Sequence, residues 1–261
     1  MIESLHSPHI ARVKALIGSK GAKERREQGL FIAEGVQCAR EALGSESGPQ
    51  LKILYATESG LSKISELNFN SVEIVEVSEA VMKAMSDTVT PQGLISLCYK
   101  PESDFSELKT TGSSTYIYLH EIQDPGNAGT ILRTADAMGI SAVVTSPDSV
   151  DMFSPKVVRS TAGSLWHVPV YEGIPFDQIE KQLPDIQKFL LSSHASQSIL
   201  DIEVPGDCLA IFGNEARGVS ASSLGASVTE VTIPMAGRAE SLNLSAAASI
   251  VMFTLSSKVA G

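Results

Sequence analysis

Apolar residues recur along this chain in short runs separated by amphipathic stretches, and each change of period marks a change of element. The pattern predicts a helix over 8–17, a basic turn, a strand over 30–33 and a helix over 34–43. Strands are expected at 51–55, 72–77 and 93–99, with helices near 59–68 and 78–85 between them. The polar, turn-rich stretch 101–114 marks a boundary between an N-terminal domain, 1–105, and a C-terminal domain, 106–261. Beyond it, a strand at 115–120, a helix at 129–138 and a strand at 142–145 form a βαβ unit, which implies a parallel sheet. A helix over 151–162, strands at 166–170, 189–192 and 209–212, and a small-residue helix over 246–255 continue the alternation. The fold class is α/β.

Three loops stand out against this alternation. They are Glu121-Ile-Gln-Asp-Pro-Gly-Asn-Ala-Gly129, Gly213-Asn-Glu-Ala-Arg-Gly218, and Ile233-Pro-Met-Ala-Gly237 running on to Ser241-Leu-Asn-Leu-Ser245. Each follows a short apolar segment. In a parallel sheet all three lie at the carboxyl edge, where ligands bind, so they are expected to form one composite site.

Composition narrows the class. With 43% hydrophobic residues in 261, the chain can bury a substantial core. The first residues lack a basic and apolar leader, and no apolar run approaches the roughly 18 residues of a membrane span, so a cytoplasmic protein is expected. Cys38, Cys98 and Cys208 have no paired spacing and read as buried small hydrophobes; the five histidines have no ligand spacing, so no metal is expected. The net charge of −10 disfavours nucleic acid, yet it is uneven. Residues 1–40 carry seven Lys/Arg against four acids, or +3, and the remainder 13 against 26, or −13. A basic patch on an acidic body is compatible with RNA binding and equally with a solvated helix. No phosphate-loop string and no G-x-G-x-x-G after a strand occurs, which argues against a phosphate-cradling NTPase or a common NAD enzyme.

The strings Asn127-Ala-Gly-Thr-Ile-Leu-Arg-Thr-Ala135, Gly213–Gly218 and 233–245 resemble the three ordered motifs of the SpoU (TrmH-like) family of the SPOUT superfamily. The likeness covers about 115–261. Phe31-Ile-Ala-Glu-Gly-Val-Gln-Cys-Ala-Arg-Glu-Ala-Leu43 and Pro91-Gln-Gly-Leu-Ile-Ser96 are similar to the family's ribosomal-protein L30e-like substrate-binding domain. The resemblance implies an S-adenosyl-L-methionine-dependent RNA 2′-O-ribose methyltransferase acting on rRNA or, second, tRNA. It also implies a deep trefoil knot in the C-terminal domain and a homodimer. A non-catalytic RNA-binding or ribosome-associated module of the same fold is the alternative.

For the site, the resemblance assigns cofactor binding to Gly213, Ile233 and Leu242. Glycine admits backbone close to a ligand, and the two apolar side chains offer walls to adenine. It assigns the reaction to Arg133, with Asn127, Glu215, Ser241 and Asn243. Arg133 acts either as a base or, since a guanidinium stays protonated, as a cation that binds the phosphate and polarises the 2′-hydroxyl. Alone, Arg133 would equally suit a surface pair with Asp136, Asn127 a turn residue, Glu215 a solvated loop acid, and Ser241 or Asn243 a helix cap. Ser192, Ser193 and Arg159 are further candidates for the pocket and for RNA phosphate.

Overall fold

The computed structural model describes residues 1–69, 72–102, 104–224 and 228–259. The chain forms two compact units, Met1–Glu102 with Asp151–His167, and Ser103–Val150 with Val168–Gly261.

The first unit opens with α1 (Pro8–Ile17) and α2 (Gly21–Gln28), the latter where the sequence shows only a basic turn. Then follow β1 (Leu30–Glu34), α3 (Val36–Gly44), β2 (Leu51–Ala56), α4 (Glu58–Ser62), β3 (Glu73–Glu76), α5 (Glu79–Met85) and β4 (Leu94–Tyr99). The sheet order is β1-β4-β2-β3, antiparallel except for the parallel β2–β3 pair. The two-residue period of β2 serves both faces. Ile53 and Tyr55 pack with Ile10, Val13 and Leu16 of α1, while Leu54 and Ala56 pack with Ala39 of α3.

The second unit begins with β5 (Thr115–Leu119), α6 (Pro125–Ala137) and β6 (Ala142–Thr145). The chain then contributes 151–167, including α7 (Pro155–Ser160), to the first unit before returning through β7 (Val170–Tyr171) and α8 (Phe176–Gln182). β8 (Gln187–Leu191), β9 (Cys208–Phe212), α9 (Ala221–Leu224), β10 (Thr229–Val231) and α10 (Leu244–Val259) complete it. The six strands run parallel in the order β10-β8-β9-β5-β6-β7. Tyr116, Tyr118, Leu209 and Ile211 bury one face of the sheet under Phe176 and Ile179 of α8 and Leu183 just after it.

The first unit is not one continuous stretch of chain, because it includes the excursion 151–167. The cause of the excursion is local chemistry within the first unit. Arg25, 5% exposed, donates from Nε and Nη2 to Asp151 Oδ2 at 2.9 and 2.8 Å. Phe31 meets the rings of Phe153 and Trp166, and Trp166 Nε1 donates to the Pro49 carbonyl. Trp166 is therefore part of a 3₁₀ turn, Ser164–Trp166, rather than the start of a strand. Arg159 pairs with Asp87 at 3.5 Å.

All three cysteines are buried and free. Among the described residues no helix is long and apolar enough to cross a membrane, and no cluster of His, Cys, Asp or Glu is arranged to hold a metal ion.

Candidate active site

The loops after β5, β9 and β10 lie at the carboxyl edge of the parallel sheet. The first passes into α6. Asp124 Oδ1 accepts the Asn127 N–H at 2.7 Å, and Pro125 takes the first helical position, which has no use for an N–H. The helix thus starts earlier than the hydrophobic pattern indicates. Asn127 lies in its first turn and not in a turn ahead of it. The Asp-Pro pair was the available sequence signal for that start.

Glu215 connects the first loop to the second. Its carboxylate accepts the backbone N–H groups of Asp124 at 3.0 Å and Gln123 at 3.2 Å, and Asn127 Nδ2 at 3.3 Å. Burial alone would raise this carboxyl. The hydrogen bonds from Asp124, its own backbone, Gln123 and Asn127 outweigh burial and hold it below the ordinary glutamate value. The third loop joins through Asn243, whose Nδ2 donates to Asn127 Oδ1 at 3.1 Å. Asn243 Oδ1 accepts from Ser245 N at 3.0 Å and Ser245 Oγ at 2.6 Å, so the same residue caps α10. Glu215, Asn127 and Asn243 form one continuous chain of side-chain amide and carboxylate contacts.

The second loop is shaped by Asn214, 7% exposed, which has no role in the sequence reading. Its Oδ1 accepts the N–H groups of Ala216 and Arg217 at 3.0 and 3.1 Å, and its Nδ2 donates to the Glu121 carbonyl at 2.9 Å. Gly218, at φ +63°, closes the turn by donating to the Asn214 carbonyl at 2.8 Å. At Gly213 a Cβ would lie 2.5 Å from Val219 N and 2.6 Å from the Gly218 carbonyl carbon, so close backbone approach demands glycine.

These loops enclose a cavity of about 800 Å³. Leu191, Phe212, Val219, Ile233 and Leu242 supply apolar wall, and Asn127, Glu215, Ser241 and Asn243 line it as well. Gly213, Ser192 and Ser193 are also in the lining. A second, smaller cavity of about 490 Å³ shares Asn127, Asn214, Glu215, Ala216 and Asn243 with the first. Of the residues to which the resemblance assigns the cofactor or the reaction, Arg133 alone lines neither cavity, and the further candidate Arg159 lies outside both as well. Arg133 is exposed on α6, and six residues beyond Asn127 it points about 120° away round the helix axis.

Residues 114–253 match the SpoU rRNA Methylase family. The chain belongs to this family. Residues 8–96 match the MRM3-like substrate binding domain. Among SpoU-type relatives, the 23S rRNA (guanosine(2553)-2′-O)-methyltransferase RlmP of Bacillus subtilis is 32% identical over 234 residues, covering 89% of this chain and 91% of its own length. The AdoMet-bound rRNA methyltransferase from Sinorhizobium meliloti is 28% identical with a TM-score of 0.84, covering 97% of this chain and 96% of that one. The SpoU methyltransferase AviRb from Streptomyces viridochromogenes shares the fold at a TM-score of 0.85 and 24% identity.

Proposed function

We propose that this member of the SpoU family transfers a methyl group from S-adenosyl-L-methionine to the 2′-hydroxyl of one nucleotide in rRNA. The observation that carries the reading is the polar chain Glu215–Asn127–Asn243 set against the apolar wall of a single cavity. The cavity volume lies in the range of small-molecule sites, roughly 300–1,000 Å³. Its apolar walls suit adenine, the exposed loop backbone suits the ribose and amino-acid ends, and the Glu215 carboxylate suits a cationic sulfonium nearby. The residues therefore fit the cofactor. Gly213, Ile233 and Leu242 hold it, and when bound it supplies an electrophilic methyl group on positive sulfur.

The remaining chemistry belongs to the chain. The smaller cavity, sharing five residues with the larger, receives the acceptor nucleotide, and Ser241, Asn243 and Asn127 orient its ribose by hydrogen bonds. Arg133 binds the adjoining phosphate and polarises the 2′-hydroxyl electrostatically rather than removing its proton. Because Arg133 faces away from Asn127, it serves a site completed by a second copy. Ile250 and Phe253, 40% and 61% exposed on α10, give a homodimer its apolar contact. α10 returns from the sheet edge at β10 to pack against α6 and β9, which supports a trefoil knot in this unit. The first unit binds rRNA, and the place of action is the cytoplasm.

The test is a pair of measurements on Arg133→Ala. Calorimetric titration should give wild-type affinity for S-adenosylmethionine while ribose methylation of rRNA falls at least about 100-fold, and Arg133→Lys should not restore it. Full activity of Arg133→Ala would remove Arg133 from the mechanism, and absence of cofactor binding by the wild type would overturn the proposed function.

A further inference from the structure

Glu121, the second residue after β5, has φ +52°, a backbone region that suits glycine or asparagine and strains a glutamate. Every polar group of this residue is nonetheless engaged. Its N–H donates to Ser146 Oγ at 2.7 Å, and its carbonyl accepts from Asn214 Nδ2 at 2.9 Å and Gln123 Nε2 at 3.1 Å. Its carboxylate Oε2 lies 2.6 Å from Arg217 Nη2, with Oε1 3.8 Å from His120 Nε2. Arg217 belongs to the 213–218 loop and lines the 800 Å³ cavity.

The Arg217–Glu121 pair is an exposed one, with side chains 73% and 35% accessible, and pairs of that kind add little to stability. Stability therefore does not account for a strained glutamate at this position. What the residue does gain is geometry. Its carbonyl holds Asn214 and its carboxylate holds Arg217, so one residue on the β5 edge fixes both ends of the turn that forms the cavity wall. Residues held in unfavourable backbone regions by several convergent contacts cluster at ligand sites, where the strain maintains a prepared shape.

We propose that Glu121 is a positioning residue for the methyl donor, acting through Arg217 to hold the 213–218 loop in its binding conformation. The proposal rests on reading this cavity as the S-adenosylmethionine site. Glu121 does not line the cavity itself but holds two residues that do, Asn214 and Arg217, and its effect is confined to cofactor affinity.

Two substitutions separate this role from a structural one. Glu121→Asn removes the carboxylate clamp and relieves the strain, because asparagine tolerates positive φ, whereas Glu121→Gln removes the charge and keeps the strain. Both are expected to raise the Kd for S-adenosylmethionine about fivefold, measured by calorimetry, while Glu121→Asn melts about 2 °C or more above Glu121→Gln. Affinity and stability then move independently. Arg217→Ala should produce a comparable loss, and Glu121→Gln combined with Arg217→Ala should be no worse than Arg217→Ala alone. The proposal is overturned if both Glu121 variants bind like the wild type, if affinity simply follows melting temperature, or if the two substitutions multiply. A wild-type protein that binds no S-adenosylmethionine overturns the reading of the cavity instead, and a wild type that binds beside unaffected variants overturns only the positioning role.

Discussion

The Asn243 side-chain amide donates to Asn127 Oδ1 at 3.1 Å, tying the start of α10 to the first turn of α6. One asparagine therefore has two separable jobs. Its oxygen caps α10 and its nitrogen reaches Asn127. Asn243→Asp keeps the capping oxygen and replaces the donor with an acceptor facing Asn127 Oδ1. Its melting temperature should stay within about 2 °C of the wild type while methyl transfer falls at least about tenfold. Asn243→Ala loses both jobs and should also lose about 1 kcal/mol of stability in denaturant unfolding. Equal activity of Asn243→Asp and wild type would show that only the cap matters.

Gly213→Ala tests the close approach of backbone to backbone. The added Cβ meets Val219 N at 2.5 Å and the Gly218 carbonyl carbon at 2.6 Å, neither of which can rotate away. The 213–218 loop must shift, at a cost of about 1–3 kcal/mol in stability. Cofactor affinity should drop at least about tenfold, and unchanged affinity by calorimetry would place the cofactor elsewhere.

Glu215 gives the fold a defined acid dependence. Its carboxyl lies below the ordinary value in the folded protein, so its contribution is complete above the unfolded value near about 4.3 and is lost as pH falls through the lowered folded value. Glu215→Gln should cost about 1 kcal/mol at pH 7, a figure already reduced for partial exposure, with the gap to wild type closing below about pH 4. Denaturant titrations across pH 3–7 check this, and a constant gap would contradict it.

Arg25 and Asp151 make the opposite kind of pair, close to fully buried on the arginine side. Asp151→Ala leaves the guanidinium without its carboxylate and should destabilise the first unit by about 3–5 kcal/mol. Arg25→Met combined with Asp151→Ala should recover much of that loss, since no buried charge remains. Equal losses in the single and double variants would show that packing, not charge, sets the cost.

Several elements are legible wherever local pattern decides structure. α1 and β6 fall where their periodicity puts them, and the three polar loops do gather at one sheet edge. Other features depend on contacts between residues far apart in sequence. Nothing near Asp151 announces Arg25, 126 residues away, and the positive φ of Glu121 follows from partners on two other loops. Asn214 reads as one more turn residue until its buried amide is seen organising the loop. Arg133 was legible through the motif alone, and its position on α6 is what makes a second copy part of the proposed site.

The proposed reaction is methyl transfer to a ribose hydroxyl. Incubating the purified protein with labelled S-adenosylmethionine and rRNA, free and assembled into subunits, then digesting with alkali, reads it directly. Label is expected in a single alkali-resistant dinucleotide, the mark of one 2′-O-methylated position. Label released as a base-methylated mononucleotide, or no label in any rRNA, would contradict it.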